Sequence, residues 1–357
     1  MVSNWSLLLV PISLALSYFF RADPIWVFCT SILAIIPLAT WIRRATEQLA
    51  TRATPAVGGL LNVTFGNTPE FVLALFVLAS GHIGVVKGQI TGSIIGNSLL
   101  GLGLAILAGS WRRERQCFQR ERAGLLSSLL MLAMIGLLVP ALFDYTERGI
   151  LNSPAASRLD EGLSLGVACV LIVVYVANLI YTFVTHREIF AFRPTNEKAD
   201  RPPWPIWQSL GVMLIATALT AWEAELISGT LDSAATALGL SRFFLGIVVL
   251  AIVGNAAEYI AAVYFARRDQ MGLVMSITVG SSIQVALLVA PLLIIVSWFM
   301  GHPMNLVFEN PLELISIAAV TFAVNAIAAD GEATWFEGLL LLATYVILAM
   351  AFFFVQP

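Results

Sequence analysis

Apolar stretches of about 20 residues recur from one end of this chain to the other, each long enough to cross a bilayer as a helix. No other feature removes so many folds. The alternating ten-residue segments of a transmembrane barrel are absent. Of the 357 residues, 59% are hydrophobic and only 11% are charged, where a soluble domain carries about 25%. The expected fold is an all-α polytopic membrane protein. Eleven spans are expected, near 5–20, 25–42, 55–80, 84–109, 123–143, 160–185, 205–222, 240–266, 271–300, 309–329 and 334–355. The first lacks a basic leader and a small-residue cleavage site, so it reads as a membrane segment rather than a cleaved signal.

Charge then sets an orientation. With the N-terminus in the cytosol, 14 of the 19 Lys and Arg fall on cytosolic connections. They are Arg43, Arg44, Arg52, Arg112, Arg113, Arg115, Arg120, Arg122, Arg187, Arg193, Lys198, Arg201, Arg267 and Arg268. Basic residues concentrate on the cytosolic side of membrane proteins. The alternation also supports the span count, since a miscount by one scrambles it. A prokaryotic plasma membrane, with the C-terminus outside, is the expected location.

Against this background two acids are out of place. Gly66-Asn67-Thr68-Pro69-Glu70 and Gly254-Asn255-Ala256-Ala257-Glu258 each set a carboxylate within a strongly apolar run. One charge at the membrane centre costs about 2.5–3.5 kcal/mol on insertion scales. The two motifs lie 188 residues apart, and Gly58/Gly246, Ala74/Ala262, Gly92/Gly280 and Ser93/Ser281 repeat at the same offset. The motifs fall on spans three and eight. Five spans of offset make the two copies cross in opposite senses, as in the inverted repeats of secondary transporters. The expected organisation is an extra helix over 1–22, a first five-helix repeat over 23–186, a cytosolic linker over 187–203 and a second repeat over 204–357.

The motif chemistry suits a cation. Glu70 and Glu258 are tolerable if they are protonated or share a positive ion, and protons and a divalent cation can displace one another there. Gly66 and Gly254 tolerate non-helical backbone, and Pro69 removes a helix donor. The backbone around Asn67 and Asn255 is therefore expected to loosen and free carbonyl oxygens, as in transporter ion sites. Calcium takes six to eight oxygen ligands. Glu70, Glu258, Gly66, Asn67, Gly254 and Asn255 form the candidate ion site, with the two acids coupling to protons. Gly92-Ser93-Ile94-Ile95-Gly96-Asn97 and Gly280-Ser281-Ser282-Ile283-Gln284 follow each acid at a helix–turn–helix distance, so Ser93, Asn97, Ser281 and Gln284 are candidate supporting residues. Small-residue helix packing is the alternative for the serines. Glu47 and Glu225 are candidates for an access route. Glu309, Glu313, Asp330, Glu332 and Glu337 sit at expected span ends and read as solvated. His82, His186 and His302 fall in connections, and Cys29, Cys117 and Cys169 are isolated. No cofactor, metalloenzyme site or nucleic-acid surface is expected. The expected partners are Ca2+, H+ and the lipid bilayer.

These residues resemble the calcium/proton exchanger (CAX) family of the calcium/cation antiporter superfamily. The resemblance runs through Gly58-Gly59-Leu60-Leu61-Asn62-Val63-Thr64-Phe65 into the first motif, then Val85-Val86-Lys87-Gly88 and Gly92 to Asn97. It continues in Gly254 to Glu258, Gly280 to Leu287, Asp330-Gly331-Glu332 and Trp335-Phe336-Glu337-Gly338. It implies an eleven-helix fold, Glu70 and Glu258 as central Ca2+- and H+-binding carboxylates, support from Asn97 and Gln284, and export of cytosolic Ca2+ driven by inward protons. The chain departs from the family at Tyr259, where His is common, and in the short, mixed-charge 187–203 connection. Sodium/calcium exchange by the same fold is the nearest alternative. An intramembrane hydrolase lacks a catalytic dyad or metal triad here, and a closed midplane site argues against a passive channel.

Overall fold

The computed structural model describes residues 4–53, 55–111, 113–148, 154–185, 204–301, 303–308 and 310–355. They are mostly helical. The helices are α1 (Leu9–Tyr18), α2 (Pro24–Ala50), α3 (Pro55–Phe65), α4 (Thr68–Ala79), α5 (Ile83–Gly109), α6 (Arg120–Arg148), α7 (Pro154–Ile180), α8 (Ile206–Leu238), α9 (Arg242–Gly254), α10 (Ala256–Arg267), α11 (Met271–Phe299), α12 (Pro311–Asp330) and α13 (Trp335–Phe353). Eight are long and apolar enough to cross a membrane alone: α2, α5, α6, α7, α8, α11, α12 and α13. Helices α9 and α10 meet that test only as a pair, bent by 50°. The linker expected over 187–203 lies outside the described residues, as do Arg112, His186, His302 and Glu309.

Local chemistry fixes many of the helix ends. The Asp23 carboxylate caps α2 by accepting from Ile25 N at 3.0 Å, with Pro24 in the first turn. Asn310 caps α12 in the same way through Leu312 N at 2.9 Å. Thr334 and Glu337 form a reciprocal capping box at the start of α13. Gly239 and Gly331, at φ 64° and 73°, end α8 and α12 in the left-handed conformation that glycine adopts without strain.

Two spans run longer than their sequence suggests. Helix α2 continues to Ala50, past the basic residues taken as its end, because Arg43 Nε pairs with Glu47 Oε1 one turn on, at 3.0 Å. Helix α8 continues to Leu238 through Glu223, Glu225 and Asp232, well beyond the expected end at 222. Glu223 does not break the helix because it is wholly buried and bonded to Ser13 on α1, at 2.6 Å. Glu313 is also no solvated end: it is buried and accepts from Thr91 on α5, at 2.9 Å.

Small residues let helices approach closely. A Cβ on Gly246 of α9 would strike the Val85 carbonyl of α5, and one on Gly92 would strike the backbone of Ile247. This is how membrane helices pack without a hydrophobic force between them. Helix α2 lies along α8, and α1 packs on α2. At one end of the bundle, Arg52 bonds the Trp204 carbonyl at 2.6 Å, Arg113 bonds the Ala266 carbonyl at 3.3 Å, and Gln116–Cys117 pairs antiparallel with Glu332–Ala333. There Arg44 also lies over the stacked rings of Trp41 and Trp204. At the other end, His82 and Arg242 reach Asp232, Lys87 reaches Asn305 and the Val307 carbonyl, and Ser164 accepts from Leu306 N.

Candidate ion-binding site

Each acid motif interrupts its helix at the same place. Helix α3 stops at Phe65 and α4 starts at Thr68, leaving Gly66 and Asn67 between them. Pro69 has no N–H to give the Phe65 carbonyl, its partner in a continuous helix. In the other half Ala257 stands where Pro69 would be, and the break narrows to Asn255 alone. The two asparagines share one backbone conformation, φ −95° and ψ 17° at Asn67 against φ −101° and ψ 9° at Asn255. Both lie in the sparsely populated bridge region. Glu70 and Glu258 each sit in the first turn of the helix that follows, where unpaired backbone N–H groups present a positive end.

Both carboxylates are buried, Glu70 at 3% exposed and Glu258 at 7%. The amides around them exchange partners across the halves. Asn67 Nδ2 donates to Gln284 Oε1 at 2.8 Å, and Asn97 Nδ2 donates to Asn255 Oδ1 at 2.8 Å. Each motif asparagine thus meets the amide that follows the other motif. Asn255 Nδ2 also faces Glu70 Oε1 at 3.1 Å, Ser93 Oγ at 3.0 Å and the Ala251 carbonyl at 2.8 Å. One NH2 has two hydrogens, so at most two of these three acceptors are served at a time. The backbone of Gly254 lies against the Glu70 side chain, with a notional Cβ at 3.7 Å. Glu70 of the first half therefore docks on the second motif itself.

Several acceptor oxygens at this centre have no hydrogen-bond partner in the protein. They are Glu70 Oε2, Glu258 Oε2, Asn97 Oδ1 and Gln89 Oε1, all buried. Gln89 belongs here because its Nε2 donates to the Glu70 carbonyl at 3.3 Å. A buried acceptor left bare costs about 1–3 kcal/mol. Four in one network mark a place built to receive positive charge or protons. The donor set is carboxylate, carboxamide and loosened backbone, all hard oxygen, which suits Ca2+. Among the described residues no cluster of three or more His, Cys, Asp and Glu offers an alternative metal centre.

The supporting residues divide. Ser93 and Asn97 are fully buried beside Asn255, and Gln284 bonds Asn67. Ser281 is buried one turn before Gln284. Glu47 is half exposed and pairs with Arg43. Glu225 lies on an exposed part of α8, and the structure does not bring it to the acids. The buried acid of that helix is Glu223, two residues earlier, held by Ser13 and facing Ser31.

Sequence reasoning passed over other parts of the centre. Helix α5 widens into a π-turn at Gly96–Gly101, and α11 does so at Val285–Val289. π-turns gather at functional sites, and these two stand at matching places in the two halves, the first beginning within its polar cluster and the second directly after its own. The ring of Tyr259 lies across the first of them. A Cβ on Gly101 would come within 2.7 Å of that ring, which is why glycine stands there. Ser98 and Ser282 bond at 2.8 Å where α5 crosses α11. Gly96-Asn97-Ser98 and Gly280-Ser281-Ser282 were the available signal for that crossing.

The chain is similar to known proteins along most of its length. A family model described as "Sodium/calcium exchanger protein" matches residues 24–184 and 208–354. The Ca(2+)/H(+) antiporter of Aphanothece halophytica is 42% identical over 361 residues, covering 98% of this chain and 95% of that protein. The Ca(2+)/H(+) antiporter ChaA of Bacillus subtilis (strain 168) is 40% identical, covering 92% and 91%. The solved structure of native YfkE superposes with a TM-score of 0.83 at 34% identity, covering 98% of this chain and 100% of that one.

Proposed function

The chain belongs to the sodium/calcium exchanger protein family, and on that premise we propose that it is a secondary antiporter exchanging cytosolic Ca2+ for H+. The observation that carries this reading is the set of buried, unpartnered acceptor oxygens on Glu70, Glu258, Asn97 and Gln89. The relatives named as Ca2+/H+ antiporters cover the chain almost completely, which supports the choice of ions.

The mechanism follows from charge. Two ionised carboxylates carry two negative charges, which one Ca2+ or two protons neutralise. Left bare, the pair would cost about 5–7 kcal/mol in the membrane if the single-charge costs add. A carrier of this design changes its facing when loaded with either cargo and resists doing so empty, and that difference is the coupling. Glu70 and Glu258 hold the cargo, with oxygens from Gly66, Asn67, Gly254 and Asn255 completing its shell. Asn97, Gln284, Ser93 and Ser281 orient those groups. No resident cofactor is needed for this step.

We read the membrane topology as eleven crossings, with α3–α4 and α9–α10 each forming one broken crossing and α1 lying outside the repeat. The two groups of end-to-end bonds support it. Connections that should lie in the cytosol bond only one another in the contacts described above, and so do those on the far side. The two matched segments, 24–184 and 208–354, fall within the two proposed halves. With basic residues inside, Arg52, Arg113 and Arg115 face the cytosol and Lys87 and Arg242 face outward, in a prokaryotic plasma membrane.

The test is ion flux. Everted vesicles bearing the protein should take up Ca2+ when the lumen is acidic, without sodium. Uptake that requires sodium and ignores the pH gradient would overturn the proton coupling in favour of sodium/calcium exchange.

A further inference from the structure

The two halves of the site differ in one charge. Arg43 of α2 donates through Nη1 to the carbonyl of Ala257, the residue before Glu258, at 3.3 Å. Its Nε pairs with Glu47 at 3.0 Å. The Arg43 side chain is 15% exposed and that of Glu47 is 49%. The guanidinium thus stands between the buried acid and the aqueous end of α2. Its charge acts on Glu258, whose Oε2 is buried without a hydrogen-bond partner. Among the described residues no cation acts on Glu70 in this way: the polar groups around it are Ser93, Asn255 and Glu258. The repeat offset of 188 sets Leu231 opposite Arg43, so only one half of the chain carries this cation.

We propose that Arg43 is a tethered cation that competes with Ca2+ for Glu258 on the α2 C-terminal side, and that Glu47 is the carboxylate that draws it aside when the ion arrives. This rests on the antiport reading above. An arginine suits the role because its fork can hold a carboxylate and a backbone carbonyl together. It sets how tightly the cytosolic face holds Ca2+ and is a specificity residue, not a ligand.

The experiment is the initial rate of Ca2+ uptake against Ca2+ concentration, in everted vesicles at one fixed pH gradient. Removing the competitor in Arg43→Gln should lower the KM for Ca2+ by about threefold to tenfold. Arg43→Lys keeps the charge but not the fork, so its KM should lie between those of the wild type and Arg43→Gln. Glu47→Gln should raise KM, because Arg43 then has no other anion to pair with. The double variant should match Arg43→Gln. If Arg43→Gln does not reach the membrane folded, Glu47→Gln still decides, since its side chain is half exposed. An unchanged KM in Glu47→Gln, or an unchanged or raised KM in Arg43→Gln, overturns the inference while leaving antiport intact. Wild-type vesicles that show no uptake driven by a pH gradient would instead remove the reading beneath it.

Discussion

Asn255→Ala isolates the part of the site that joins the halves. The substitution keeps Cβ and the backbone bond from Asn255 N to Ala251 at 3.2 Å. It removes two donated bonds, drawn from Glu70, Ser93 and Ala251, and one accepted from Asn97. Hydrogen bonds between membrane helices average about 0.6 kcal/mol, so the three sum to roughly 2 kcal/mol. Asn97 is fully buried, and its stranded donor adds about 1 kcal/mol at the low end of its penalty. The expected loss is about 2–4 kcal/mol. Reversible unfolding in mixed micelles measures it, and vesicle uptake should fall at least tenfold alongside, because Glu70 loses its positioning partner. Asn325→Ala is the control. It removes one bond, from Ser127 at 2.8 Å between α6 and α12, and should cost about 0.6 kcal/mol with transport retained. If the two variants behave alike in both assays, the Asn255 hub does not hold the site.

Three further outcomes follow from the packing and the polar network. Gly92→Leu should abolish recovery of monodisperse protein, since even a Cβ there collides with the Ile247 backbone; size-exclusion profiles decide it. Glu223→Ala leaves Ser13 its bond to the Val10 carbonyl at 2.7 Å but empties a fully buried place on α8 and should cost about 1–3 kcal/mol, whereas Glu223→Gln, which keeps the volume and can bond Ser13, should stay within about 1 kcal/mol by the same unfolding assay. Tyr259→Phe removes a buried hydroxyl with no partner, so stability should hold or rise by up to about 1 kcal/mol, and a drop of that size would reveal a bond the geometry does not contain.

Much of this was legible in the sequence, for identifiable reasons. Apolar length gives membrane helices, and Gly-Asn before an acid gives a break, because glycine and proline act locally on the backbone. Pro69 against Ala257 even foretells which break is wider. Charge was the misleading signal. The expected spans end at 42 and 222, beside Arg43, Arg44, Glu223 and Glu225, but both helices run on: Arg43 pairs with Glu47, Arg44 lies over Trp41 and Trp204, Glu223 bonds Ser13, and Glu225 stays exposed. Glu225 is the access-route candidate in the sequence, but burial falls on Glu223. Two residues apart on a helix point about 200° apart, and only the position of α1, bringing Ser13, decides which faces inward. Gln89, the π-turns and the Ser98–Ser282 bond carried little signal, since Gln89 depends on how α5 folds back along α4 and the others on where α5 crosses α9 or α11.

The central claim is that Glu70 and Glu258 form one shared site rather than two. Calorimetric titration of Ca2+ into the purified protein tests it most directly. The account predicts one Ca2+ bound per chain, with binding lost in Glu70→Gln and equally in Glu258→Gln. Binding that persists in either variant at near wild-type affinity would contradict it.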